Sequence, residues 1–297
     1  MYIGGVRQKR VAILVFLGPA LLGLFVFALL PILASVFLSL TNYDPLRPLR
    51  DLQVVGVANY LEYWSNKDLL AQYSHVLYYL VLYIPLVLLL SVGQALMLER
   101  AFRGKTLFKV IFYLPVITSW VAVALIWKWI LNGEFGLLNN LLALTGIHGP
   151  AWLQNSTWAM PGIVLAAAWK DTGYYALIVL AALKSVDKSN YESARLDGAN
   201  AWVEFTKITV PLISPTIFLL VVVNVIAGFQ VFESIFIMTA GGPAGATRVP
   251  VEQVYMNSFT FYKMGYASAV ALVLTAVILV ATQVQLALEK KWVNYDN

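Results

Sequence analysis

The sequence contains no cysteine and only two histidines, His75 and His148. Disulfide scaffolding, thiol catalysis and cysteine-ligated metal are thereby excluded, and a histidine-rich metal or proton site lacks ligands. Charge is scarce as well. Only 12% of the 297 residues are Asp, Glu, Lys or Arg, against roughly 25% in ordinary soluble domains, while 60% are hydrophobic. So few charges cannot cover a water-facing surface of this size, and the mean hydropathy of +0.76 agrees. The same counts exclude a disordered chain or a coiled coil. The net charge of +5 is not a nucleic-acid signature, because the lysines and arginines sit at the ends of apolar runs. What remains is an integral membrane protein whose environment is a lipid bilayer, with no nucleic-acid partner.

A helix crosses the ~30 Å hydrocarbon layer in about 20 apolar residues. Six stretches qualify: 11–40, 74–98, 107–131, 158–183, 211–240 and 266–288. None alternates with a period of two, so a membrane β-barrel is excluded. The first follows Arg7, Lys9 and Arg10 as a signal peptide would, but its apolar part is twice too long and is expected to be retained. Pro19 and Pro31 are expected to bend it. Thirteen of the twenty lysines and arginines flank one side of these spans and five the other, with Lys128 and Lys170 inside them. The positive-inside rule then puts both termini in the cytoplasm. The expectation is an all-α membrane protein with six transmembrane helices, a single transmembrane domain over 1–297. No 20–50-residue repeat occurs, and no inverted repeat relates the halves, which weakens a secondary-transporter reading.

A six-helix bundle needs only a short turn between its fourth and fifth spans, yet residues 184–210 form a long cytoplasmic loop written like ordered structure. Ser189 and Glu192 have the spacing of a capping box. Gly198 suits the positive φ of a helix stop, and Asn200 suits the cap of a second helix carrying Trp202, Phe205 and Ile208 along one stripe. Pro211 and Pro215 then end that helix and open the fifth span. Two readings are open on physics alone. One is a docking element for a partner; the other is an amphipathic segment in the headgroup layer, although Glu192, Asp197 and Glu204 would be repelled by an anionic leaflet. Gly104-Lys105-Thr106 has the tail of a phosphate-binding loop, but Glu99 stands where that pattern needs glycine, so the chain is not expected to be an ATPase or other enzyme.

Glu192-Ser193-Ala194, Asp197-Gly198-Ala199, Phe205, Ile208, Pro211 and Pro215 resemble the EAA loop of importer-type ABC permeases. Ser193 replaces an alanine of that pattern and Val210 a leucine. Tyr113-Leu114-Pro115, Trp152-Leu153, Gly241-Gly242-Pro243 and Thr247 also resemble the carbohydrate-uptake branch, the maltose and glycerol-3-phosphate type. The chain lacks the extra N-terminal spans and the large periplasmic insertion of the enterobacterial maltose permease subunit. The resemblance implies that the loop is a coupling helix. Glu192 would touch the ATPase, Gly198 would allow the bend, and Ser193, Ala194, Asp197 and Ala199 would complete the seat. It further implies an inner-membrane subunit, bacterial or archaeal, that pairs with a second homologous permease, two ABC ATPase subunits and an extracytoplasmic solute-binding protein. ATP and Mg would be bound by the ATPase, and no cofactor by this chain.

Ionisable groups inside spans are candidates for the solute path, since burying one costs at least ~2.5 kcal/mol. Lys170 and Asp171 lie deep in the fourth run and, as sequence neighbours, cannot face each other on a helix. Glu233, read as part of the fifth span, is the expected partner of Lys170, either as a structural ion pair or beside a solute cavity. Gln230 and Glu233 are expected on one face, with Phe229 near them and Asn224 and Gly228 on another. Trp169, Tyr174 and Tyr175 supply aromatic platforms. Amides, carboxylates and aromatics are the groups that bind sugars, because hydroxyls need donors and acceptors while C–H faces stack. The leading expectation is a permease subunit of an ATP-driven sugar or polyol importer. An ATP-independent secondary transporter or channel subunit is the alternative; a membrane-embedded enzyme would need convergent catalytic groups that the spans do not hold.

Overall fold

The computed structural model describes residues 6–100 and 103–289, with side chains from residue 13 onward. The side chains of Arg7, Lys9 and Arg10, and the residues Lys290 and Lys291, lie outside it. Among the described residues the chain is helical throughout, with one isolated antiparallel bridge between Thr41 and Val54. Four helical stretches are long and apolar enough to cross a bilayer: Ile13–Ser39, Leu69–Glu99, Ala159–Ser185 and Met264–Glu289. Two bent helix pairs raise the number to six if each pair is one span.

The packing divides the chain into two compact units, Met1–Lys67 with Gln253–Thr275, and Asp68–Glu252 with Ala276–Asn297. The first unit opens with α1 (Val6–Leu24), passes through a π-turn at Phe25–Leu29 and continues as α2 (Leu30–Ser39). The wide turn directly precedes Pro31, whose ring and missing N–H cannot join a regular α ladder. None of the central residues of this span is buried, as suits a helix written for lipid. Its C-terminal carbonyls need partners, and the buried Asn59 of α3 (Ala58–Trp64) supplies them: Nδ2 donates to Ser39 O and Thr41 O, both at 2.8 Å.

In the second unit α4 (Leu69–Glu99) lies along α8 (Ala159–Ser185). Between them in sequence come α5 (Lys105–Ile117), α6 (Trp120–Ile130) and the short α7 (Leu137–Ala143). The core helix α8 is rich in small residues, and Ala159, Gly162, Ala166, Ala167, Ala168, Gly173 and Ala176 are all buried. Without a hydrophobic drive between helices in lipid, such residues gain stability by letting backbones approach. Helix α9 (Lys188–Leu196) follows, then α10 (Ala201–Val203), a π-turn at Glu204–Thr209 and α11 (Val210–Leu212), continuous as Ala201–Leu212. The chain closes with α12 (Ser214–Phe229) against α4, α13 (Glu233–Met238) against α6, α14 (Pro250–Tyr255) and α15 (Met264–Glu289).

Two of the expected spans are not single helices. The stretch 107–131 is broken at Thr118 and Ser119, where α5 and α6 meet at 100°. Pro115 removes a ladder donor, Thr118 is extended, and Ser119 starts the next helix by accepting from Val121 N. The stretch 211–240 contains a 64° bend at Ile213 and stops at Phe229 rather than Ala240. Pro215 opens α12 after the bend, Gly228 weakens its last turn, and Phe232 takes a non-helical backbone before α13 begins.

The tightest helix crossing is at Gly173, where a Cβ atom would lie 2.0 Å from the carbonyl oxygen of Phe112 in α5. A backbone atom cannot rotate away, so Gly173→Val should push α5 off α8 and destabilise the protein by about 1–3 kcal/mol. A lower thermal midpoint of the purified protein is expected, and Gly93→Val, where nothing lies within 4 Å, is the comparison. Equal midpoints for the two variants would remove this crossing as a constraint.

Candidate functional site

Residues 187–212 form a two-helix hairpin, capped at both helices. Asp187 caps α9 by accepting from Ser189 N at 3.0 Å; the expected capping box on Ser189 and Glu192 is therefore corrected, since the cap lies two residues earlier and Ser189 is inside the helix. The stop at Gly198 is as expected, with φ +83° and the paired bonds Ala199 N to Ala194 O and Gly198 N to Arg195 O that close a Schellman turn. Asn200 caps the second helix by accepting from Val203 N at 2.9 Å. Across the turn, Arg195 donates from Nε and Nη2 to the two oxygens of Glu204 at 2.7 and 3.1 Å. A fork-on-fork pair of this kind fixes orientation as well as distance. Tyr191 and Thr209 hydroxyls join the same two helices at 3.1 Å.

The hairpin presents apolar surface outward: Leu196 is 89% exposed and Trp202 71%. Phe205 and Ile208 are half-buried instead, so the single stripe with Trp202 is not kept. The π-turn at Glu204–Thr209 is the reason, because its extra residue per turn rotates the later positions away from Trp202. Behind the hairpin lies a cavity of about 730 Å³, walled by Glu99 and Arg100 at the end of α4, Lys184 at the end of α8, and Glu192, Arg195 and Glu204 of the loop. Ser193, Asp197 and Gly198 face outward, and Ala194 and Ala199 are half-buried beneath them.

The second region is a buried polar cluster between α4, α8 and α12. Tyr83 donates to Asp171 Oδ2 at 2.8 Å and stacks on Tyr79 with ring centres 5.1 Å apart. Tyr175 lies beside Tyr83, Asp171 and Asn224. Asn224 is fully buried; its Nδ2 donates to Leu220 O at 2.7 Å while Oδ1 makes no hydrogen bond of ordinary geometry. Gly228 brings the α12 backbone against Leu80 and Tyr79. Tyr79 and Tyr83 were not singled out from the sequence. Their i,i+4 spacing, which puts two rings on one face of the span, is the signal that marks them.

Lys170 is partnered differently from the expectation. Its Nζ, on a residue 6% exposed, donates to Val116 O at 2.9 Å and Pro115 O at 3.3 Å and lies 5.5 Å from the Trp120 ring centre. Glu233 is not its partner: it is exposed at the start of α13, and among the described residues no ion pair joins the two. Gln230 and Glu233 do not share a helical face either, because the chain breaks between them. Phe229 is buried, Gln230 exposed. Trp169 and Tyr174 point out of the cluster as exposed aromatics, Trp169 edge-on to Trp127 at 5.9 Å and Tyr174 edge-on to Tyr175 at 5.3 Å.

Hydrogen bonds from Arg195 hold the Glu204 carboxyl below the usual carboxylate range, and the Ser189 amide does the same for Asp187. A depressed native pKa contributes stability above the unfolded value and loses it as pH falls through the native one. The hairpin should therefore keep its protection from about pH 8 to 5 and loosen only below about pH 4. Amide hydrogen exchange of 187–209 against pH reads this. Glu204→Gln should show faster exchange already at neutral pH, and a hairpin that loosens between about pH 7 and 6 would contradict the assignment.

Residues 10–294 match the family described as binding-protein-dependent transport system inner membrane component. The chain is 33% identical over 297 residues to the probable ABC transporter permease protein YesP of Bacillus subtilis (strain 168), covering 98% of this chain and 94% of that relative. It is 30% identical over 276 residues to the lactose transport system permease protein LacF of Rhizobium radiobacter, 91% of either chain. Its fold is similar to a chain in the crystal structure of a bacterial alginate ABC transporter in complex with an alginate pentasaccharide-bound periplasmic protein, with a TM-score of 0.83, 22% identity and 96% of either chain covered. This chain belongs to the family of binding-protein-dependent transport system inner membrane components.

Proposed function

We propose that the chain is one transmembrane subunit of an ATP-driven importer for a sugar or related polyol, working by alternating access. The observation that carries the reading is the hairpin 187–212: capped at both helices, pinned by Arg195 and Glu204, and exposing Leu196 and Trp202 on an element continuous with the spans. A flexible loop would absorb a partner's motion; a pinned one transmits it. The partner that fits is an ABC ATPase subunit binding ATP and Mg, gripping Glu192, Ser193 and the outward side of the turn at Asp197 and Gly198. Closure of an ATPase pair then biases the bundle between two states through contacts that differ in each. In this reading each bent helix pair is one span, giving six, with both termini and the hairpin in the cytoplasm. A second homologous permease completes the pore, and an extracytoplasmic binding protein delivers the solute. The chain itself contributes no catalytic residue.

The carbohydrate part of the reading is supported by the likeness to a lactose permease and by the chemistry of the buried cluster. Asp171 and Asn224 offer acceptors and donors, Tyr79, Tyr83 and Tyr175 offer rings and hydroxyls, and Gly228 keeps the α12 backbone close. Trp169 and Tyr174, with Phe229, Gln230 and Glu233 about the α12–α13 break, would extend the path. Lys170 acts in this reading by holding the α5–α6 break in place.

Two tests separate the parts. Glu192→Ala and Gly198→Val should leave the permease folded but lower ATP-dependent uptake tenfold or more; the valine is strained by about 1–2 kcal/mol at a left-handed position. Wild-type uptake in both would reject the coupling role. Asn224→Leu should raise the KM for uptake about tenfold while the assembled complex and its basal ATP hydrolysis persist. An unchanged KM, with reduced assembly instead, would make Asn224 a packing residue.

A further inference from the structure

A second polar site lies at the far end of α4, roughly 45 Å along that helix from the cavity behind the coupling hairpin. A cleft of about 250 Å³ is lined there by Asp68, Ala71, Gln72 and His75 of α4 and by the loop Ala244–Ala246 with Arg248. Gln72 is 1% exposed, and neither its Nε2 nor its Oε1 has a hydrogen-bond partner. Burying an amide without partners costs several kcal/mol in apolar surroundings, so both atoms are built for something that enters the cleft.

The other groups narrow what enters. His75 Nδ1 donates to the carbonyl oxygen of Arg248 at 2.9 Å, which ties α4 to the loop and leaves Nε2 as an acceptor in the neutral ring. Asp68 caps no amide of α4 with its side chain, so the first amides of the helix lack intrahelical partners and its positive end faces this region. The Arg248 stem runs past Gly241 and Gly245, both at positive φ; a Cβ on Gly241 would lie 2.9 Å from Arg248 Cγ and closer still to the Glu252 carboxylate. The lining holds one guanidinium and one carboxylate, with the Glu252 carboxylate also facing Arg248, beside an amide that both donates and accepts. That set does not suit an anion, and among the described residues no three acidic or histidine groups gather to hold a metal ion. The set suits adjacent hydroxyl groups, each needing one donor and one acceptor, and the volume suits a single ring.

We propose that this cleft is a hydroxyl-binding subsite that receives one ring of the transported solute, at the end of the permease remote from the coupling loop, with Gln72 as its central contact. The proposal rests on the carbohydrate reading above. It adds a solute contact separate from the cluster at Asp171 and Asn224.

The absence of cysteine from the chain makes a direct test available. The complete importer carrying Ala71→Cys is reconstituted in lipid nanodiscs without its binding protein. Maleimide labelling of this chain is followed by mass in lactose, trehalose, maltose, glycerol or sodium sulfate, and uptake of the same solutes is measured with the intact system. A solute that is taken up should slow labelling at least threefold, and sulfate should not. Gln72→Leu, added to the reporter, should raise the half-protecting concentration about tenfold and leave labelling in solute-free buffer unchanged. Gln72→Met serves the same purpose if the leucine variant fails to assemble. Uptake of a sugar that gives no protection overturns the subsite and leaves the carbohydrate reading standing. A broad screen in which no sugar or polyol is taken up overturns that reading and the subsite with it. Protection by sulfate alone, or protection that survives loss of the amide, also overturns the proposal.

Discussion

The second unit depends on how backbone carbonyls are satisfied where a helix breaks among apolar residues. A broken helix leaves its last carbonyls without donors, and lipid offers none. At the end of α5 the ammonium of Lys170 takes that place, donating to Pro115 and Val116 from the opposite helix. The arrangement solves two problems together. A lysine that would be costly among small apolar residues finds fixed partial negative charge, and the negative end of α5 finds a cation. Trp120 lies under the same ammonium and begins α6 just past the break, so the 100° turn is held at its corner by one side chain.

From that corner the rest of the unit follows. With α5 held, Gly173 can accept the Phe112 backbone, and the small residues of α8 keep α4 close on another side. Asp171, the neighbour of Lys170, necessarily faces elsewhere and meets Tyr83 of α4. One pair of adjacent charged residues thus serves two unrelated contacts: Lys170 holds a backbone break, and Asp171 anchors a cluster of tyrosines and an asparagine between three helices. The second is the contact that the proposed function assigns to a hydroxylated solute, and its placement follows from the first.

The hairpin at 187–212 uses different physics because most of its polar side chains are exposed. Its surface ion pair is screened and contributes little to stability, but with two caps, a left-handed glycine and a tyrosine–threonine contact it defines one shape. In the proposed coupling role, rigidity rather than stability is what a lever needs, and the exposed leucine and tryptophan are the surface offered to the ATPase.

The apolar runs, the helical class and the two-helix form of residues 187–212 were all legible in the chain itself. Hydropathy is a sum over composition and needs no partner to be read. Gly198 and Asn200 act within a few residues of themselves, so their roles as stop and cap are local too. The capping box was misread because Asp187 is the cap: it accepts from the amide of Ser189 itself, so the helix has begun before Ser189 could cap it. Where α5 gives way to α6, and α12 to α13, was not legible. Pro115 and Gly228 permit a break, and the one after α5 is completed from a distant helix by Lys170. The assignment of Lys170 to carbonyls rather than to Glu233 has the same origin: a charge inside a span must have a partner, which its own residue type dictates, whereas the identity of that partner depends on which helix arrives beside it.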